Sequence, residues 1–253
     1  YTQPTEEFKA EGLENVQDLI AFCAKVSNPA AQINKETSER LIKYLIKHQH
    51  WSPLEMANAV LEIDTTRDIA HQIVRHRSFA FQEFSQRYAD PAEQGEIFEY
   101  SEARLQDQKN RQNSISTDDK DLQHWWDMQQ KHVAEVAKVA EVAEVAEVAR
   151  DQFIPPVTTI SHKKTDIGHA QDNVVSDAFV FTGIELLSIA TEQARKVSPE
   201  GITKTRLYMN GTIRSWVHYI ELRSANGTQK EHMDIAIACA KAISEIFPLM
   251  NDL

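Results

Sequence analysis

The residues best equipped for chemistry lie between His71 and Tyr88, in the run His-Gln-Ile-Val-Arg-His-Arg-Ser-Phe-Ala-Phe-Gln-Glu-Phe-Ser-Gln-Arg-Tyr. This segment holds Arg75, Arg77 and Arg87, two histidines and a single glutamate, in a chain of formal net charge −11. A guanidinium offers a planar fork of donors that suits phosphate and carboxylate. Arg75 and Arg77 cannot both lie on one helical face, because side chains two apart point to different sides of a helix. Ser85 and Arg87 flank a segment able to offer hydroxyl, guanidinium and backbone N–H donors to one phosphate. The plainer alternative is a surface basic stretch paired with acidic neighbours.

Other chemistries find less support. Cys23 lies in Ile-Ala-Phe-Cys-Ala and Cys239 in Ile-Ala-Cys-Ala. Both read as small buried helix residues, whereas a nucleophilic thiolate must be activated and exposed. His48, His50 and His76 have no Cys, Asp or Glu at ligand spacing beside them, so no metal is expected. There is no Gly-x-Gly-x-x-Gly, and seven glycines leave little capacity for Gly-rich phosphate loops. A dinucleotide would have to be held by side chains.

The elements that must position these residues follow from periodicity. Residues 12 to 26 and 36 to 48 read as helices, the second with Leu41, Tyr44, Leu45 and His48 at helical spacing. Ser27-Asn28-Pro29 and His50-Trp51-Ser52-Pro53 are breaks. Residues 57 to 64 suggest a strand. A helix follows from Thr66, a plausible N-cap, to about Arg77, with Ile69, Ile73 and Val74 as its stripe. Residues 90 to 120 are polar and read as a surface excursion. Trp125 and Trp126 open a helix that runs into Val-Ala-Glu/Lys triplets from Val133 to Glu147, closing at Val148-Ala149-Arg150. A period of three drifts by about −60° per triplet, so the valines spiral round the helix and define no apolar face. Pro155-Pro156 ends it. Helices are expected again at about 177 to 195, 205 to 223 and 229 to 247, after an irregular stretch from 157 to 176. No linker divides the chain, so residues 1 to 253 read as one mixed α and β domain containing the low-complexity helix 133 to 150.

The order of the basic residues is informative. Arg75-His76-Arg77, seven residues, Ser85, then Arg87-Tyr88, with Gln72 before and Glu83 inside, resembles the signature of the flavin-dependent thymidylate synthases. His50-Trp51-Ser52-Pro53-Leu54-Glu55 is similar to the family's His-x-Thr/Ser-Pro-x-Glu segment. Ala194-Arg195-Lys196-Val197-Ser198-Pro199 resembles its Ala-Arg-x-x-Leu-Pro turn, with Ser198 where Leu is usual. Asn210 to Tyr219, Leu222-Arg223, Gln229 and Glu231 are similar to its flavin- and nucleotide-binding helix, and Lys109 to Ser114 also looks like the family. Ala80 stands where a small hydroxyl is common, and His218 where some members have Asn. The triplet repeat is foreign to the family.

The resemblance implies an α+β fold, with helices around a central, mostly antiparallel sheet. It implies methylation of dUMP to dTMP, with 5,10-methylenetetrahydrofolate as carbon donor and FAD reduced by NADPH, without a cysteine nucleophile. Arg223 would polarise the uracil N3 region; pairing with Glu221 or Glu231 is the plainer role for it. Gln72, Arg75, Glu83, Phe84, Ser85, Gln86, Arg87, Arg195 and Arg223 would bind dUMP. His50, Ser52, Glu55, Arg75, His76, Arg77, Glu83, Arg214 and His218 would hold FAD, contributed by different subunits of a homotetramer. A non-catalytic nucleotide-binding homologue, or a helical interaction protein assembled through residues 133 to 150, are the alternatives.

Composition sets the outer bounds. Hydrophobic residues make up 42% of 253, enough for a core. No run of 18 apolar residues suggests a membrane span. The acidity disfavours a nucleic-acid polymer or an anionic membrane as partner, while leaving room for a small anionic ligand at a local basic cluster. Two cysteines and the absence of a basic-then-apolar start fit a reducing, cytoplasmic setting.

Overall fold

Along Lys204–Thr212 the residues Thr205, Leu207, Met209 and Gly211 are buried while those between them are exposed or half-buried. That period of two makes this segment the middle strand of the main sheet. It corrects the expectation of a continuous helix over 205 to 223. At about 100° per residue Leu207 falls about 180° from Trp216, so it shares no helical stripe with Trp216, Tyr219 and Ile220, and its burial belongs to the strand. The helix begins only at Ile213, where Thr212 caps it by accepting from the Ser215 N–H at 3.2 Å.

The computed structural model describes residues 1–86, 95–150 and 199–252. Arg87, Tyr88, Arg195, Ser198, the Pro155-Pro156 stop and the helix expected at 177 to 195 lie outside the described residues. Tyr1–Gln130 with Glu200–Leu253 form one compact unit, and Lys131–Pro199 form another.

In chain order the first unit holds α1 (Glu6–Ala10), α2 (Val16–Ala24), α3 (Ser38–Lys47), β1 (Asn58–Thr66), α4 (Arg67–Ile73), β2 (Ala80–Glu83), β3 (Arg104–Gln106), β4 (Ser114–Ser116), α5 (Lys120–Arg150), β5 (Lys204–Thr212), α6 (Ile213–Arg223) and α7 (Lys230–Ser244). α5 continues into the second unit. The main sheet has the order β1-β5-β2, antiparallel throughout, with Asn58 opposite Thr212 and Glu83 opposite Leu207. Its inner face joins Ile63, Leu207 and Met209 to Ile20, Ile42, Leu54, Ile69, Ile73, Trp216, Tyr219 and Phe247 in one core. Burying each large apolar side chain contributes roughly 1.5–3 kcal/mol. The outer face carries polar cross-strand pairs: Tyr208 donates to Glu62 at 2.6 Å, and Arg206 donates to Asp64 at 2.6 and 2.9 Å. Mixed helix and antiparallel sheet is the fold class the sequence led us to expect.

Several boundaries moved for local reasons. The helix expected over 12 to 26 starts at Val16, because Asn15 caps it by accepting from the Asp18 N–H at 2.9 Å. On α3 the buried stripe is Ser38, Ile42 and Leu45; Tyr44 faces out, and its ring stacks on His48 with centroids 4.2 Å apart. α4 stops at Ile73, short of Arg77, since the Arg75 and His76 N–H groups reach back only three residues, to Gln72 and Ile73. Within the supposed excursion, β3 and β4 form a hairpin that sequence reasoning missed. Its turn is built by side chains: Asp107 accepts from the N–H groups of Lys109 and Asn110 at 2.8 and 3.2 Å, and from Asn113 Nδ2 at 3.1 Å.

Candidate active site

The basic segment is clamped to the first half of α6. Gly211, at the end of β5, leaves room for Phe79, since a β-carbon there would fall inside the Phe79 ring. That ring packs edge-on against Trp216, 4.9 Å between centroids, and Tyr219, 5.9 Å. The Ser215 hydroxyl donates to the Ser78 carbonyl at 3.2 Å. With residues 78 and 79 fastened, Arg75 and Arg77 project outward. Both are exposed, and among the described residues their side chains form no ion pair or hydrogen bond. Two arginines without a partner among the described residues, on an acidic chain, are disposed to take an anion from outside.

At the far end of α6 the half-buried Arg223 donates from Nε to His76 Nε2 at 2.9 Å. It pairs with neither Glu221 nor Glu231. His76 accepts, so that ring nitrogen is unprotonated. Burial, and then the nearby Arg223 charge, hold His76 below the ordinary histidine value. The two Nη groups of Arg223 make no hydrogen bond among the described residues, so a fixed guanidinium keeps its fork free.

Behind Arg223 runs a polar chain through the core. His232, fully buried on α7, has Nε2 3.1 Å from the Tyr219 hydroxyl and Nδ1 3.2 Å from Gln72 Oε1. Gln72 in turn donates from Nε2 to Gln229 Oε1 at 2.7 Å. Burial first, then Arg223 and His76, push His232 down to about 4, so it is neutral. Burial likewise raises Tyr219, which stays a phenol. Tyr219 and His232 were absent from the residues chosen by sequence. The signal for His232 was available: with Ala236, Cys239 and Ile243 it forms the buried stripe of α7 at helical spacing.

A second group surrounds the start of α6. Arg214 forms an ion pair with Glu55, from the 3-10 turn Ser52–Met56. One turn on, His218 packs against Trp51 with centroids 4.4 Å apart. His50 is exposed; the chain reaches it through Gln49, whose φ of 59° turns the backbone back toward Tyr44. Ser52 is exposed as well. Helical rise puts Arg214 and Arg223 about 13 Å apart along α6.

Glu83, Phe84, Ser85 and Gln86 lie elsewhere, at the end of β2. Glu83 accepts from the Thr205 hydroxyl at 3.1 Å, and the Phe84 N–H bonds to the Arg206 carbonyl at 2.8 Å. Ser85 is exposed and Gln86 buried. No hydrogen bond or ion pair among the described residues joins this group to Arg223. Thus the chain gathers Gln72, His76 and Arg223 in one place, and Glu55, Arg214 and His218 in another.

A cleft of about 640 Å³ opens between β1, α5 and α7, but its walls carry Asp64, Asp68, Glu99, Glu102, Glu231 and Asp234. Such a surface repels a phosphate. Neither thiol is disposed to attack: Cys239 is buried and pushed up to about 12, and burial also raises Cys23. Among the described residues, no group of three or more His, Cys, Asp and Glu is placed to hold a metal ion, and no helix is long and apolar enough to cross a membrane.

Comparison with known proteins identifies the family. Residues 11–249 match the family described as thymidylate synthase complementing protein. A probable flavin-dependent thymidylate synthase of Paramecium bursaria Chlorella virus 1 is 41% identical over 94% of this chain and 90% of its own. The flavin-dependent thymidylate synthase of Synechocystis sp. is 38% identical over 92% and 86% respectively. Among solved structures, the UMP/dUMP methylase PolB from Streptomyces cacaoi, bound with 5-Br dUMP, superposes with a TM-score of 0.60 at 21% identity, covering 93% of this chain and 88% of that one. At that identity the superposition speaks for the fold alone. The family match over nearly the whole chain, and two relatives well above 30% identity, place this protein in the flavin-dependent thymidylate synthase family of enzymes.

Proposed function

We propose that this protein methylates C5 of dUMP to give dTMP, using 5,10-methylenetetrahydrofolate as carbon donor and FAD reduced by NADPH. The observation that carries the reading is the Arg223–His76 pair: a guanidinium held by its Nε, with both Nη groups free among the described residues. Family membership supports the flavin.

Methylating C5 requires electron density there. A guanidinium set beside N3 and its flanking carbonyls favours the form of the ring in which the N3 proton is weakened, and density then moves toward C5. Arg223 supplies that charge. His76, neutral, aims it without competing for the anion. Gln72 reaches the same space and reads the pyrimidine edge. This assignment dispenses with a thiolate, in keeping with the raised Cys23 and Cys239 thiols.

The donor set also suits a flavin dinucleotide. Arg75 and Arg77 are exposed and unpaired among the described residues, as a pyrophosphate requires. Glu55, Arg214 and His218 form a polar and aromatic ledge, with His50 and Ser52 close to it in sequence. When bound, FAD supplies the hydride that completes the transferred methyl group. Glu83, Phe84, Ser85, Gln86, Arg87 and Arg195 would complete the nucleotide site, Arg87 and Arg195 taking the phosphate. Because Glu83 to Gln86 stand apart from Arg223 in one protomer, a site using both draws on more than one copy, and a homotetramer with shared sites is the assembly we propose.

The test is spectroscopic. Purified protein should show a flavin's visible absorption, bleach with NADPH, and convert dUMP to dTMP when 5,10-methylenetetrahydrofolate is added. A flavin-loaded protein that binds dUMP but never forms dTMP would assign the chain to a non-catalytic homologue.

A further inference from the structure

The hydrogen bonds behind Arg223 have a direction. Tyr219 is held as a phenol and His232 as a neutral imidazole. Gln72 donates from Nε2 to Gln229, so its Oε1 faces His232 Nδ1, which must carry the proton. Nε2 of His232 is then bare and accepts from the Tyr219 hydroxyl. The chain runs Tyr219 O–H to His232, His232 N–H to Gln72, and Gln72 N–H to Gln229. The three links are coupled, so none reverses unless all reverse together, and His232 at their centre is fully buried.

A primary amide has two N–H groups and two lone pairs. With one of each committed, Gln72 keeps one donor and one acceptor side by side, in a fixed order. This order matters to a pyrimidine. Uracil shows a carbonyl at C4 beside an N3–H; cytosine shows an amino group at C4 beside a bare N3, the opposite order. An amide free to turn over by 180° reads either base. A locked one reads a single base and leaves the other donor against donor and acceptor against acceptor.

We infer that His232 is a positioning residue for base choice: through Gln72 it fixes the order in which the amide presents donor and acceptor, and with Tyr219 makes the site select a uracil over a cytosine nucleotide. This rests on the functional reading above, in which Gln72 meets the base. His232 itself touches no ligand.

The experiment is the ratio of dissociation constants for dUMP and dCMP, measured by calorimetry on the flavin-loaded protein. Wild type should prefer dUMP. His232→Phe, which fills the space but removes both ring nitrogens, should lower that preference at least about tenfold. His232→Asn, which restores an amide N–H near the place of Nδ1, should recover most of it. If His232→Phe does not fold, Tyr219→Phe carries the test, because it frees the imidazole to change tautomer; the preference should fall there too. A merely structural role would weaken both nucleotides together. An unchanged ratio in folded, yellow variants overturns the lock alone, while a flavin-loaded wild type that binds neither nucleotide overturns the functional reading and the lock with it.

Discussion

Gly211 and Phe79 touch as closely as a strand backbone and an aromatic ring can: the ring occupies the place a side chain at 211 would need. Phe79 lies four residues beyond Arg75 and three beyond His76, so this contact sets where the basic segment passes over α6. Gly211→Ala should displace the ring, costing about 1–3 kcal/mol by overpacking. Because residues 75 to 78 would move with it, flavin retention after gel filtration should fall more than the melting temperature does. Full flavin content in the variant would show that the segment has another anchor.

Arg223→Ala removes the charge proposed to face the pyrimidine but leaves the arginines proposed for the flavin. dTMP formation should drop by at least about 10²–10³-fold, the usual result of deleting one preorganised donor, with flavin content near wild type. His76→Leu should give a smaller loss, since the guanidinium remains but is no longer aimed. Turnover of Arg223→Ala equal to wild type refutes the assignment.

The cysteines give a prediction of the opposite kind. Replacing Cys23 and Cys239 together by Ala should leave most dTMP formation intact, at a stability cost of about 1 kcal/mol for each site. Loss of turnover in a folded, flavin-loaded double variant would restore a thiol mechanism.

His232 also predicts a pH dependence. It has an ordinary value of 6.5 and is pushed down to about 4 in the fold, by burial first and then by Arg223 and His76; Tyr219, the titratable group that touches it, stays a neutral phenol over this range. Protonation therefore favours the unfolded chain. The stability from keeping it neutral is complete above about 6.5 and is lost as pH falls toward about 4. The change amounts to about 3 kcal/mol. Thermal unfolding between pH 7 and 4 should show a falling melting temperature, with a shallower fall in His232→Asn.

What could be read without coordinates follows physical lines. β1 and α4 were legible because alternation in 57 to 64 and the Ile69–Ile73 spacing are local signals. β5 was less legible: the alternation of Thr205, Leu207 and Met209 and the Asn210-Gly211 pair are its only local signals, because the strand runs into α6 without a loop. The hairpin of β3 and β4 was hidden because side chains of Asp107, Asn113 and Gln106 hold it rather than an apolar face. At the site, Arg223, His76 and Gln72 were chosen by type and family pattern. Their mutual contact was invisible, since 147 residues separate His76 from Arg223 and only the tertiary fold brings them together. Tyr219 and His232 escaped notice because a polar residue on a buried helical stripe looks like a tolerated exception until its partners are known.

The passage from β5 to α6 has no loop: Thr212 ends one element and caps the next. The helix is thus a rod bolted to the sheet, with Arg223 at its far tip. A slip of β5 by two residues against β1 would keep every inward side chain inward, yet carry that tip about 7 Å along the sheet. Strand pairing, ordinarily a matter of folding alone, here sets the aim of Arg223, so selection on the reaction reaches back into the register of the sheet.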